Sequence, residues 1–317
     1  MLMKAVEVIV YPGFLFLFVF ALFAQWLDRK LYARMQNRVG PPFIQPFADF
    51  VKLFSKETVV PRNVDKMLFS LVPYFAFAAT VTSFLFLPIA SDEPVVKLPG
   101  DIVIVAYLLT IPTLVMALAG WISVTAYSII GGIRCLSQLF SYEIPFFLAL
   151  LTPAMLLETW NISEISKRLP SFLLSNPIYI IPVGIAFLVG IISLQGKLER
   201  KPFDIPDAET ELVAGPFTEY SGRLFGIFRI TLDMEMIVGV ALLVAVFLGG
   251  ADSFFGLPGF IAYLLKSLFI LFVLAYIKTA VARIRIDQMI SFGWMVLAPS
   301  SLVGIFLVVL LHKGGVL

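Results

Sequence analysis

Six carboxylates, Glu199, Asp204, Asp207, Glu209, Glu211 and Glu219, crowd one polar stretch between two long apolar segments. Acids packed this closely repel one another when ionised, which raises some of their pKa values and suits them to accepting and releasing protons. Proline is tolerated in the first turn of a helix. A helix starting after Pro206 would therefore set Asp207 and Glu211 on one face at i and i+4, where like charges are unfavourable. The plainer alternative is a solvated acidic loop paired with Arg200, Lys201 and Arg223. Further acids fall at the edges of apolar segments: Glu143 beside Tyr142, and Asp233 and Glu235 after Arg229. Charge inside a bilayer is expensive, so such acids either face an interior pathway or snorkel at the interface. The pathway alternative is a chain of protonatable groups leading from the polar loops into the membrane. Arg283 and Arg285 put two cations near its mouth, where they would lower carboxyl pKa values or merely fix topology.

The elements that must hold these acids are membrane spans. Of 317 residues, 60% are hydrophobic and 14% charged, and the mean hydropathy is +0.98. A soluble domain carries about a quarter charged residues, so lipid is the expected solvent. Apolar runs long enough to cross about 30 Å of hydrocarbon fall near 11–27, 68–90, 102–126, 142–157, 177–196, 231–250, 259–281 and 292–311. This predicts an all-α integral membrane protein of about eight transmembrane helices, forming one polytopic domain over 1–317. Pro112, Pro182 and Pro299 lie within spans and predict kinks packed against neighbouring helices. Gly131-Gly132 predicts a flexible loop entry.

Loops at about 28–67, 127–141, 197–230 and 282–291 hold 16 lysines and arginines, against 6 on the other side. By the positive-inside rule they are cytoplasmic, and both termini lie outside. Within the first loop, Phe43, Ile44, Phe47, Phe50, Val51 and Phe54 recur at helical spacing, with Gln45, Asp49, Lys52 and Lys56 between them. That pattern predicts an amphipathic helix lying in the interface, either anchored to anionic lipid or docked to a peripheral protein. Net charge is +2, which leaves no footprint for nucleic acid. Cys135 is the only cysteine and His312 the only histidine. These counts exclude an internal disulfide, a cysteine-held iron–sulfur cluster or zinc site, and a bis-histidine haem within this chain. No internal repeat of the kind common in secondary transporters is visible.

Four motifs carry a resemblance. They are Ala-Arg-Met-Gln-Asn-Arg-Val-Gly-Pro (33–41), Lys-Pro-Phe-Asp-Ile-Pro-Asp-Ala-Glu-Thr-Glu-Leu (201–212), Glu-Tyr-Ser-Gly (219–222) and Arg-Ile-Asp-Gln followed by Ser-Phe-Gly-Trp (285–294). In this order, with eight spans between them, they resemble the H-type subunit of respiratory complex I, subunit 1 of NADH dehydrogenase. The same family supplies the membrane anchor of ion-pumping nickel–iron hydrogenases. The resemblance implies a heel that joins a peripheral redox arm to a membrane arm. Its partners would be hydrogenase-like large and small subunits, small membrane subunits, antiporter-like subunits and lipid. Iron–sulfur clusters, with or without nickel–iron, would sit in those partners and not in this chain.

The resemblance also implies roles. Glu143, Asp204, Asp207, Glu209, Glu211 and Glu219, with Asp233 or Glu235, would form the proton path. Arg34 and Arg38 would belong to the surface that docks the redox arm, near Arg283 and Arg285. One departure bears on the substrate. After Gly40-Pro41 this chain has only Pro42-Phe43-Ile44 before Gln45-Pro46-Phe47, where quinone-reducing relatives carry several more residues. The gap argues against a quinone site and toward the hydrogenase branch or a sulfur-reducing relative, in a prokaryotic plasma membrane. Three other roles stay open: a quinone-chamber subunit, a stand-alone ion transporter, and a scaffold whose acids only hold the arm in register.

Overall fold

The computed structural model describes residues 2–89, 93–251 and 258–313. Among them no strand occurs, and eight helical segments are long and apolar enough to cross a membrane. In chain order the helices are α1 (Leu2–Ile9), α2 (Phe14–Met35), α3 (Gln45–Ser55), α4 (Lys66–Phe84), α5 (Asp101–Ile122), α6 (Ala126–Leu156) and α7 (Ile162–Ser175). Then follow α8 (Ile180–Lys197), α9 (Glu209–Leu212), α10 (Gly222–Phe247), α11 (Gly259–Ala280), α12 (Ile286–Phe292) and α13 (Ala298–Lys313). The long helices form a bundle with α10 inside it, packed on α2, α3, α4, α7, α8 and α11. Of the apolar window of α10, 94% is buried, against 22% for the first span and 28% for the last. The first and last spans therefore leave most of their surface uncovered by the rest of the chain.

At the charged end of the bundle, α3 lies across α2 and α10. Phe50 packs on Phe18 with ring centroids 5.2 Å apart, and Arg29 pairs with Asp49 at 2.9 Å. Phe47 and Val51 stay exposed on the other face. An open apolar face is what an interfacial helix requires. Asp65 starts α4 by accepting hydrogen bonds from the amides of Met67 and Leu68 at 2.9 and 3.1 Å, which satisfies two donors that a helix start leaves unpaired.

Several boundaries differ from those the apolar runs suggest. Residues 127–141 are not a loop but the first half of α6, whose 31 residues reach about 46 Å at 1.5 Å per residue. This half is poor in hydropathy because its polar side chains face protein. Gln138 is fully buried and donates to the carbonyls of Gly196 and Phe203 at 2.7 and 2.8 Å. Gly131 and Gly132 give close packing, not flexibility. A Cβ on Gly131 would stand 2.7 Å from the Gly215 backbone, and one on Gly132 would stand 2.8 Å from the Ala117 carbonyl. The sixth span begins at Gly222, nine residues ahead of the apolar run, for the same reason: Arg223 and Arg229 depress hydropathy without ending the helix. The helix after Pro206 shrinks to the single turn of α9, so Asp207 lies outside it and shares no helical face with Glu211.

On the opposite side lies α7, which the search for long apolar runs passes over. Ile162, Ile165 and Leu169 on one face are fully buried against α10, while Glu164, Lys167 and Arg168 lie off that face. The buried Asp101 at the start of α5 accepts from the Ile162 amide at 2.9 Å, so a neighbouring helix supplies the N-terminal partner that α7 lacks.

Candidate functional site

Two sets of acids converge on the charged end of the bundle. The outer set surrounds a cavity of about 580 Å³ bounded by α2, α10, the end of α11 and the segment that follows α8. Asp28, buried in the last turns of α2, pairs with Arg200 at 3.1 Å and Lys278 at 2.8 Å. The Lys278 ammonium also stands 4.9 Å from the centre of the Tyr32 ring. Asp233 of α10 lines the same cavity and accepts a hydrogen bond from Gln25 Nε2 at 2.6 Å. Asp204 and Asp207 lie on its wall.

The inner set lies within the spans. Glu143 of α6 and Lys197 of α8 form an ion pair at 3.0 Å, with Lys197 fully buried and Glu143 nearly so. Lys197 stands 5.6 and 5.8 Å from the ring centres of Tyr142 and Phe146, an arrangement in which ring faces stabilise a desolvated cation. One oxygen of Glu143 and both oxygens of Glu235 are buried with no protein hydrogen-bond partner. Polar atoms buried this way are costly unless water or a proton satisfies them. The geometry places two buried glutamates in the field of one buried lysine.

Between the two sets stands Glu199, two residues beyond the end of α8. It lines the cavity, and its carboxylate accepts a hydrogen bond from Cys135 Sγ at 2.9 Å. Burial pushes its pKa up to about 7, the charge of Asp207 adds to the rise, and the thiol hydrogen bond opposes it. A carboxyl group so placed can exchange protons near neutral pH. Sequence reasoning counts Glu199 among the crowded acids but gives it no role, and it passes over Asp28 and Lys197. Asp28 and Lys197 each fall one residue past the end of an apolar run, where a charge ordinarily reaches water.

The remaining sequence candidates distribute differently. Glu211 is half-exposed and pairs with Arg134 at 2.6 Å and Arg283 at 4.0 Å. The hydrogen bond and charge of Arg134, with Arg283 adding, hold its carboxyl below the usual range. Crowding thus does not raise it, because Glu211 has found cations before another acid. Arg283 also pairs with Asp204 at 3.2 Å and donates to the Asp204 carbonyl at 3.1 Å. It therefore ties this segment down as well as standing at the surface. Glu219 is half-buried beside Tyr220, which stacks on Phe69 with ring centres 4.0 Å apart. The side chain of Glu209 lies outside the described residues. Arg34, Arg38 and Arg285 are all exposed at the charged end. Among the described residues no group of three or more metal-ligating side chains occurs.

The fold and sequence have close counterparts. A family model described as NADH dehydrogenase matches residues 8–309. The H-type subunit of NADH-quinone oxidoreductase from Carboxydothermus hydrogenoformans is 34% identical over 301 residues, covering 92% of this chain and 85% of that protein. Its counterpart in Phocaeicola vulgatus is 35% identical over 313 residues, covering 92% and 87%. Among solved structures, a chain of the membrane-bound sulfane sulfur reductase, an archaeal respiratory membrane complex, superposes with a TM-score of 0.83. It shares 25% sequence identity, over 97% of this chain and 99% of that one.

Proposed function

Because this chain belongs to the NADH dehydrogenase family, we propose that it is the membrane heel of a multisubunit respiratory complex, coupling electron transfer in a peripheral arm to translocation of protons or sodium ions. The observation that carries this reading is the succession of acids. Asp28, Asp204, Asp207 and Asp233 surround a cavity open to the charged end. Glu199 stands at its inner wall, and Glu143 and Glu235 lie beyond it within the spans. Arg34 and Arg38, exposed at and just beyond the end of α2, suit a surface that receives a peripheral arm. The charge bias of the loops supports a cytoplasmic position for this end, with both termini outside.

Within this reading the redox arm consists of hydrogenase-like large and small subunits that carry the iron–sulfur clusters, and small and antiporter-like subunits extend the membrane arm. A charge change near the cavity biases the protonation of Glu199, and Glu143 and Glu235 pass that change inward. The likeness to the sulfane sulfur reductase and the short Gly40-Pro41-Pro42 connection favour a sulfur- or proton-reducing complex over a quinone-reducing one. The test is ion movement into vesicles holding the purified complex, driven by electron donor. Glu143→Gln and Glu235→Gln complexes should retain the peripheral arm and electron transfer while ion movement falls to a small fraction. Normal ion movement in both would sink the pathway, and loss of the arm from both would favour a purely structural role.

A further inference from the structure

The single cysteine is buried in the membrane domain, yet it does not only fill space. Cys135 is fully buried on α6, in a cluster with Val115, Met116, Phe217 and Phe228. Its sulfur lies 2.9 Å from Glu199 Oε1 and 3.4 Å from the carbonyl oxygen of Thr113 on α5. Among the described residues no ion pair reaches Glu199, and the thiol supplies the only hydrogen bond that its side chain receives. Glu199 also has a left-handed backbone, with φ of 50°, an arrangement that non-glycine residues adopt only when surrounding contacts hold it.

We propose that Cys135 is a positioning residue for Glu199: its thiol holds the carboxylate against α6, between the charged cavity and the acids of the spans, and so sets the proton affinity of that position. The inference rests on the reading of Glu199 as the link between the outer and inner acids. A thiol has one proton and here two acceptors. With Glu199 ionised the proton goes to the carboxylate, since charged acceptors make the stronger hydrogen bond. When Glu199 is protonated that advantage disappears and the Thr113 carbonyl competes. The thiol thus changes partner as the carboxyl changes charge, while sulfur and carboxyl keep their places. An alanine here would leave an ionised carboxylate buried with no donor, which disfavours the charged form. Serine would restore a donor.

The cavity that Glu199 lines also carries Asp28, Asp204 and Asp233 among its acids and Arg29, Arg200, Lys201, Arg229, Lys278 and Arg283 among its cations. Asp207 faces Glu199 from its own segment, with Arg200 adjacent in the chain. Tyr142 interacts with it electrostatically from α6 and Glu235 from α10. Burial raises its carboxyl, the thiol hydrogen bond opposes the rise and Asp207 adds to it; the balance places its titration at about 7, so the carboxyl is protonated below that pH and ionised above it.

The test uses the intact complex. Infrared difference spectra between wild type and Cys135→Ala isolate the S–H stretch of Cys135 from every cysteine in partner subunits. This band should change position as pH is raised through about 7 and stay fixed in Glu199→Gln. In parallel, the pH profile of redox-driven ion movement should shift upward by about half a unit to one unit in Cys135→Ala, the size of a weak hydrogen bond to a charged group. Cys135→Ser should return it to the wild-type position. A band that ignores pH, or an alanine profile that coincides with wild type, would overturn the role of Cys135. If Glu199→Gln instead moves ions normally while the band still tracks pH in wild type, the thiol–carboxyl pair stands and the pathway through Glu199 falls.

Discussion

At the scale of single residues, the ion pair between Lys197 and Glu143 is the most demanding feature. Both groups are withdrawn from water, and a buried pair is retained only when each partner is present. Replacing Lys197 alone with methionine should cost about 3–5 kcal/mol by leaving Glu143 uncompensated. The Lys197→Met, Glu143→Gln double variant should recover most of that loss. Unfolding in a mixed-micelle titration, comparing single and double variants, measures both; equal losses in the two would show that the pair is not coupled. Glu143 was legible from sequence because a carboxylate at the edge of an apolar run has few innocent explanations. Lys197 was not, because a lysine at a helix end usually snorkels to water. Only the packing of Tyr142 and Phe146 around its ammonium reveals that it turns inward. Asp28 escapes for a related reason: beside Arg29 and Lys30 it reads as part of a solvated charge cluster, whereas the partners that bury it, Arg200 and Lys278, come from distant parts of the chain.

At the scale of elements, α9 is a single helical turn held by charges from two other parts of the chain. Arg134 reaches it from α6, and Arg283 from the residues just before α12. Exposed pairs of this kind contribute at most about 1 kcal/mol each, so Arg134→Ala and Arg283→Ala should leave overall stability almost unchanged. Each should instead speed proteolytic cleavage between residues 201 and 214, with the double variant fastest. Cleavage at the wild-type rate in all three would show that the turn is held by its apolar contacts alone. The eight spans and the amphipathic α3 were legible because their patterns are local: a run of apolar residues or a 3.6-residue period. The first half of α6 and the outer α7 were not, for a shared physical reason. Hydropathy measures whether a residue suits lipid, and each of these segments buries one face against protein while polar residues dilute its apolar run. Gly131 misleads likewise, since the signature of a hinge and that of a backbone-to-backbone contact are the same small residue.

At the scale of the whole molecule, burial is graded from the periphery to α10, and stability should follow the same gradient. Leu242→Ala, at a fully buried position of α10, should cost about 2–5 kcal/mol through lost contacts and a residual cavity. Leu302→Ala, on a half-exposed position of α13, should cost well under 1 kcal/mol, because lipid replaces the missing methyl groups. Steric-trapping measurements of unfolding in bicelles would compare them directly, and equal costs would contradict the central place of α10. That place also fixes an order of events during synthesis. Of the helices around α10, all but α11 precede it in the chain. The sixth span carries Asp233 and Glu235, and each acid costs roughly 2.5–3.5 kcal/mol at the centre of a bilayer. By the time it leaves the ribosome, the walls of its slot have already been made, so a span burdened with two acids emerges last but one among its neighbours and can pass from the insertion machinery into protein.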